Sequence, residues 1–180
     1  MASTIRAATE EELLRAPRDG RKYELVDGEI RMSSAGTRHG ALSVKVAAKL
    51  LAFVTNQRLG HVFDSSTGFR LPGGNVRSPD ASFVARGRFE GDELPEGFSP
   101  VPPDLAVEVL SSDDRPRAIL DKVGEYLESG VRLVWVIDPS ARTATVYRSL
   151  NDVRRLGPDN ALDGFDVLPG FRCLLSDVLL

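Results

Sequence analysis

The chain has 180 residues, 42% hydrophobic and 27% charged, with a net charge of −3. That size and balance suit one globular domain spanning residues 1–180, and the single cysteine, Cys173, excludes an intrachain disulfide. Acidity weighs against strong DNA binding by one copy, because such affinity rests on Lys and Arg neutralising phosphates; acids that hold a metal count in that total without repelling a metal-bridged phosphate. No stretch approaches the ~20 apolar residues of a membrane span, and residues 1–16 lack the apolar core of a leader, so a cytoplasmic, membrane-free protein is expected.

In chain order, Thr9 with Glu12 three residues on is a capping box ahead of Leu13 and Leu14, so a short helix starts there, and Pro17 to Gly20 ends it. Lys22–Val26 and Glu29–Ser33 flank Asp27-Gly28, a strong hairpin signal. Leu42, Val46, Leu50 and Phe53 then recur at helical spacing after Thr37, with Gly60 beyond the helix end. Val62–Ser65 and Gly68–Leu71 read as short extended pieces, Pro72–Asn75 as a turn, and Asp80–Ala85 as a strand. Arg86 to Pro103 is rich in Gly, Pro and charge and predicts a long surface loop.

Leu105–Leu110 is an apolar run of the kind that forms a central strand covered on both faces. Arg117–Ser129 predicts a helix with Ile119, Val123, Tyr126 and Leu127 on one stripe and Gly130 as its stop. Val131–Ile137 and Thr143–Arg148 follow as strands. Asn151 to Gly170 reads as turn-rich, and Phe171–Leu175 as a last strand before a short helix opened by Ser176. Cys173 lies in that run and is expected as a buried small hydrophobe. The order implies an α/β or α+β layer structure, a mixed sheet with a helix on each face.

Glu108 is the only charge in its apolar strand pattern. A carboxylate there costs several kcal/mol unless it is paired or binds a cation. Alternation puts it on one face with Ala106 and Leu110. Asp80 follows Pro79 at a strand start. Two carboxylates on such strands form a hard-oxygen pair suited to Mg²⁺, while each alone also reads as a salt-bridged or turn acid. On a wheel with Ile119 at 0°, Lys122 falls at about −60°, bordering the buried stripe, where its stem can lie on apolar surface and its ammonium reach the acids. Glu24 shares a strand face with Val26 and reads as a further ligand or as a solvated edge residue. His39 opens the long helix, where free N–H groups favour anions; it reads as a phosphate contact, a water-orienting group or a surface cap. One cysteine and two histidines cannot build a usual structural zinc site.

Taken in order, Tyr23–Glu29, His39, Ser78–Val84 with Pro79-Asp80, Pro103–Ser111 with Glu108, Lys122 with Tyr126 and Gly130, and Val134–Pro139 resemble the Uma-two family of restriction-endonuclease-like proteins, within the PD-(D/E)XK nuclease superfamily. The resemblance runs from about Tyr23 to Arg148. It implies a restriction-endonuclease-like core with Mg²⁺ or Mn²⁺ at its acidic end, Asp80 and Glu108 as the two acids and phosphodiester hydrolysis as the reaction. The superfamily lysine two residues after the second acid is absent, since Leu110 stands there; the resemblance places that lysine in the following helix, at Lys122. Glu24 resembles an extra acid that many members carry, and His39 a recurrent family histidine. The expected partner is nucleic acid, DNA in particular, with the protein as a homodimer whose contact area includes Trp135, Tyr147 or the tail Phe165–Leu180. The alternative is a catalytically silent binding or interaction domain in which Glu108 and Lys122 are a structural ion pair.

Overall fold

The structure, a computed structural model, describes residues 6–17, 19, 21–33 and 36–180. Gly20 and the first five residues, read above as a helix stop and as lacking a leader's core, lie outside the described residues. Helix α1 spans Glu10–Leu14. The Glu12 N–H donates to the Thr9 hydroxyl at 3.3 Å and the Thr9 N–H donates to the Glu12 carboxylate at 2.9 Å, the reciprocal box that the spacing predicts. The hairpin is β1 (Lys22–Val26) and β2 (Glu29–Ser33), turned by Asp27 and Gly28 with φ of 52° and 76°, as a two-residue turn matched to strand twist requires. Strand β1 also pairs with β5 (Val76–Arg77), and β5 with β4 (Phe69–Arg70), completing a small sheet in the order β2-β1-β5-β4. Leu13 of α1 packs on its Leu25 and Val76.

The large sheet contains β3 (Gly60–Asp64), β6 (Ala81–Ala85), β7 (Leu105–Val109), β8 (Leu133–Asp138), β9 (Thr143–Ser149) and β10 (Asp152–Leu156), in the order β10-β9-β8-β7-β6-β3. Only β7 and β8 run parallel, because the helix α3 (Pro116–Glu128) lies between them in the chain; every other pair is antiparallel. Helix α2 (Thr37–Gln57) lays Leu42, Val46, Leu50 and Val54 on one face, against Phe83, Leu105, Val107, Leu133 and Ile137. Helix α3 lays Val123 and Tyr126 on the other, against Ala106, Val134 and Val136. The fold is therefore the expected mixed sheet with a helix on each face.

Three expectations change. The turn-rich tail holds β10 and a two-stranded sheet of β11 (Ala161–Asp163) and β12 (Arg172–Leu174), followed by α4 (Leu175–Val178). Strand β10 escapes a periodicity search because it buries no face; backbone pairing to β9 holds its exposed Val153, Arg154 and Arg155. Helix α2 ends on Arg58, itself left-handed at φ 54°, and Gly60 instead opens β3. Trp135 and Tyr147 are not contact surface. Trp135 alternates with Val134 and Val136 on a strand covered on both faces, is fully buried, and stacks on Phe171 with ring centroids 5.8 Å apart; Tyr147 is buried on the α3 side. Much of the tail is likewise inside, including Leu168, Phe171, Leu175 and Val178, and so is Cys173.

Candidate active site

The site forms where the two sheets meet. Strand β5 ends at Arg77 in the small sheet and β6 begins at Ala81 in the large one, with Ser78-Pro79-Asp80 as the step between. Pro79 has no N–H to give a ladder, which suits a chain leaving one sheet for another. The Asp80 N–H resumes pairing by donating to the Val107 carbonyl at 2.8 Å. Ala81 pairs with Val107, so one further step along this antiparallel register sets Asp80 opposite Glu108. Asp80 stands just before the strand, where its carboxylate meets His39 of α2, whereas Glu108 meets Tyr126 and Lys122 of α3. Both are buried carboxylates.

Each carboxylate has its own donors. Asp80 Oδ2 accepts from the Val109 N–H at 2.8 Å and faces His39 Nε2 at 3.0 Å, while Lys22 Nζ lies 2.9 Å from Oδ1. Glu108 Oε1 accepts from the Tyr126 hydroxyl at 2.7 Å and from Lys122 Nζ at 2.9 Å. Lys122 is the shared cation, because its ammonium also lies 3.2 Å from Glu24 Oε1. The Ser78 N–H donates to that same Glu24 oxygen at 2.8 Å, and Arg77 reaches Glu24 Oε2 at 3.4 Å. Arg77 is anchored in turn by Glu125 at 2.5 Å, and Asn75 donates to Glu125 at 2.6 Å.

Electrostatics separate the two acids. Burial pushes the Asp80 carboxyl up, but the His39 hydrogen bond, the Lys22 and His39 charges and the Val109 N–H outweigh it and hold the group well below the usual carboxylate range. Burial dominates at Glu108 and raises it, with Lys122 and Lys22 opposing and the Asp80 and Glu24 charges adding to the rise. Burial also disfavours the Lys122 ammonium, yet Glu108 and Glu24 together hold its pKa above the ordinary lysine value. Tyr126 is raised well above its usual range by burial and by Glu108, so it stays a donor.

Lys22, Glu24, His39, Asp80, Glu108 and Lys122 all line one open cleft of about 910 Å³. The structure thus brings all five expected residues to one place, with Glu24 beside the acid pair. Its oxygens are taken up by Ser78, Lys122 and Arg77, and among the described residues no group of three or more His, Cys, Asp or Glu forms a metal-holding cluster. What remains is a pair of hard carboxylates, with Glu108 Oε2 lacking a hydrogen-bond partner among the described residues. The pair fits a cation that takes one or two carboxylates and fills its other positions with water and phosphate oxygens, as Mg²⁺ does.

Sequence reasoning missed Lys22, Tyr126 as a carboxylate donor, and the Arg77–Glu125 brace. Two of these left a signal: Lys22 is two residues from Glu24 and so shares its strand face, and Tyr126 is one helical turn from Lys122.

The cleft, with its paired acids and lysine, thus opens where the two sheets meet, in a mixed sheet between two helices. The family model Uma2, described as "Putative restriction endonuclease", matches residues 10–176, and the chain belongs to that family. The fold is also that of a crystal structure from Anabaena variabilis ATCC 29413 described as a "putative nuclease belonging to DUF820". The two chains are 23% identical, the likeness covers 94% of this chain and 96% of that one, and the TM-score is 0.81. No curated protein matches the chain. Among the described residues, no helix is long and apolar enough to cross a membrane.

Proposed function

We propose that this protein is a metal-dependent endonuclease that hydrolyses phosphodiester bonds of DNA, acting as a pair of copies. The observation that carries the reading is the meeting of Asp80, Glu108 and Lys122 in one open cleft, with the two acids opposite each other on neighbouring strands. Asp80 and Glu108 would hold Mg²⁺ or Mn²⁺, an ion that supplies Lewis acidity to the phosphate and lowers the pKa of an attacking water. In the reaction, the water oxygen bonds to phosphorus, one ester P–O bond breaks, and the leaving oxygen takes up a proton. Lys122 has the role of orienting the water and stabilising charge that builds on the phosphoryl oxygens. Glu24 and Glu108 hold the ammonium between them, so it is positioned before substrate arrives. Tyr126 fixes the Glu108 carboxylate from the α3 side, and His39 and the Val109 N–H fix that of Asp80.

The test is cleavage of supercoiled and linear DNA by purified protein with Mn²⁺ or Mg²⁺, against a chelator control. Glu108→Ala and Lys122→Ala should each abolish cutting. Only Glu108→Ala should also abolish the rise in melting temperature that metal binding to the native state produces, because an ammonium is not a ligand. A second reading has its own observation: Lys122 already satisfies Glu108 and Glu24 without any ligand. On that reading the domain binds without cutting. The wild type then cuts no DNA or RNA, metal leaves the melting temperature unchanged, and each variant loses about 3–5 kcal/mol as a broken buried ion pair.

A further inference from the structure

We propose that Lys22 is an internal counter-ion that occupies the cation position at Asp80 and must withdraw when a divalent metal binds; this rests on the metal reading above. The two cleft lysines are held differently. Lys122 extends from the packed helix α3 and is tied to two acids, Glu108 at 2.9 Å and Glu24 at 3.2 Å. Lys22 is the first residue of β1, in the sheet whose edge strand β2 is exposed along its whole length, and it is tied to one acid, Asp80 at 2.9 Å. Its ammonium covers Oδ1, while Oδ2 is taken by the Val109 N–H and His39. A metal shared by Asp80 and Glu108 needs an Asp80 oxygen. Oδ2 already has two partners, one of them a backbone N–H inside the sheet, so Oδ1 is the oxygen with capacity left for a cation, and the Lys22 ammonium beside it sits on a flexible four-carbon stem that can swing into the open cleft.

The balance of charge points the same way. Asp80 and Glu108 face one another across neighbouring strands, and two carboxylates so placed repel unless a cation lies between or beside them. Lys22 supplies that positive charge to Asp80 while the metal is away, so the acid pair folds without metal. A divalent ion makes the same charge redundant and, at Oδ1, competes with it for the same oxygen. The displaced ammonium remains in a cleft whose proposed substrate is a polyanion.

The consequence is a metal affinity that improves when the lysine charge is removed, the reverse of what losing a binding residue does. Isothermal titration of Mn²⁺ into the full-length protein tests it, with melting curves as the second readout. Lys22→Met should bind Mn²⁺ at least about 5-fold more tightly than the wild type, the low end of a coupling between competing sites. Its melting temperature should rise more on metal addition than the wild type's does. Lys22→Arg, which keeps the charge, should bind no more tightly than the wild type. Equal or weaker binding by Lys22→Met overturns the role of Lys22 while leaving the metal site standing. Absence of Mn²⁺ binding in both chains overturns the metal reading and this one together. Should Lys22→Met fail to fold by circular dichroism, Lys22→Gln gives the same comparison.

Discussion

The contact between His39 and Asp80 joins the first turn of α2 to the sheet step. The hydrogen bond to Asp80 raises the imidazole above its ordinary 6.5, against burial and the Lys22 charge, with Asp114 adding to the rise. A raised histidine stabilises the fold below its unfolded pKa, and that stability is lost as pH rises through the folded value. Asp80 has the opposite sign: its depressed pKa gives stability above the ordinary 3.8 that is lost as pH falls. In the metal-free protein, His39→Gln should therefore lower the urea midpoint at about pH 5.5 and lower it much less at about pH 9. Equal losses at both pH values would show that folding does not raise the His39 pKa. From the sequence, this residue offered phosphate contact, water orientation or a surface cap as alternatives; its 3.0 Å contact with Asp80, 41 positions away along the chain, is one that none of them named.

At the scale of elements, β3 and β6 close tightly at the end of the pair away from Asp80. Gly60 pairs with Ala85 at the start of β3, at φ 149°, and a Cβ there would come within 2.1 Å of the Val84 carbonyl oxygen. Backbone cannot yield that far without breaking the ladder. Gly60→Ala should destabilise the protein by at least about 1–3 kcal/mol, the range of core overpacking, measured as a shift in urea midpoint at unchanged slope. A midpoint within error of the wild type would mean that the strand end is free to move. The step Ser78-Pro79-Asp80, which brings Asp80 to the cleft, was legible only as a proline before a strand. Its transfer of the chain between sheets follows from pairing of β5 with β1 and of β6 with β7.

For the molecule as a whole, the formal charge of −3 and the proposed DNA substrate bear on assembly. Several cleft cations are already tied to acids: Lys22 to Asp80, Lys122 to Glu108 and Glu24, and Arg77 to Glu125. One copy has little positive charge free for a duplex, and two centres are needed to cut two strands, so pairing of copies raises both counts. Burial of Trp135 and Tyr147 removes them from such an interface. Analytical ultracentrifugation at high micromolar concentration should give a dimer mass; a monomer there would overturn the pairing.

Some of this protein is determined locally and can be read from residues alone. The capping box at Thr9, the Asp27-Gly28 turn, the stripes of α2 and α3, and the lone charge of Glu108 in an apolar strand depend on neighbours within a few positions. Lys122 at the border of its helical stripe belongs with them, since the wheel fixes its direction. Lys22 and Glu24 carry only the mark of a shared strand face, which leaves open whether they are buried, because a charged residue on a hairpin is ordinarily solvated. Their burial against Asp80 and Lys122 comes from partners 58 and 98 positions distant, which only the packing of one sheet beside the other brings within 2.9 and 3.2 Å. Periodicity records which face a side chain takes; which charges meet on that face is decided by long-range strand order, where the cost of burying a carboxylate is offset by a cation from elsewhere in the chain.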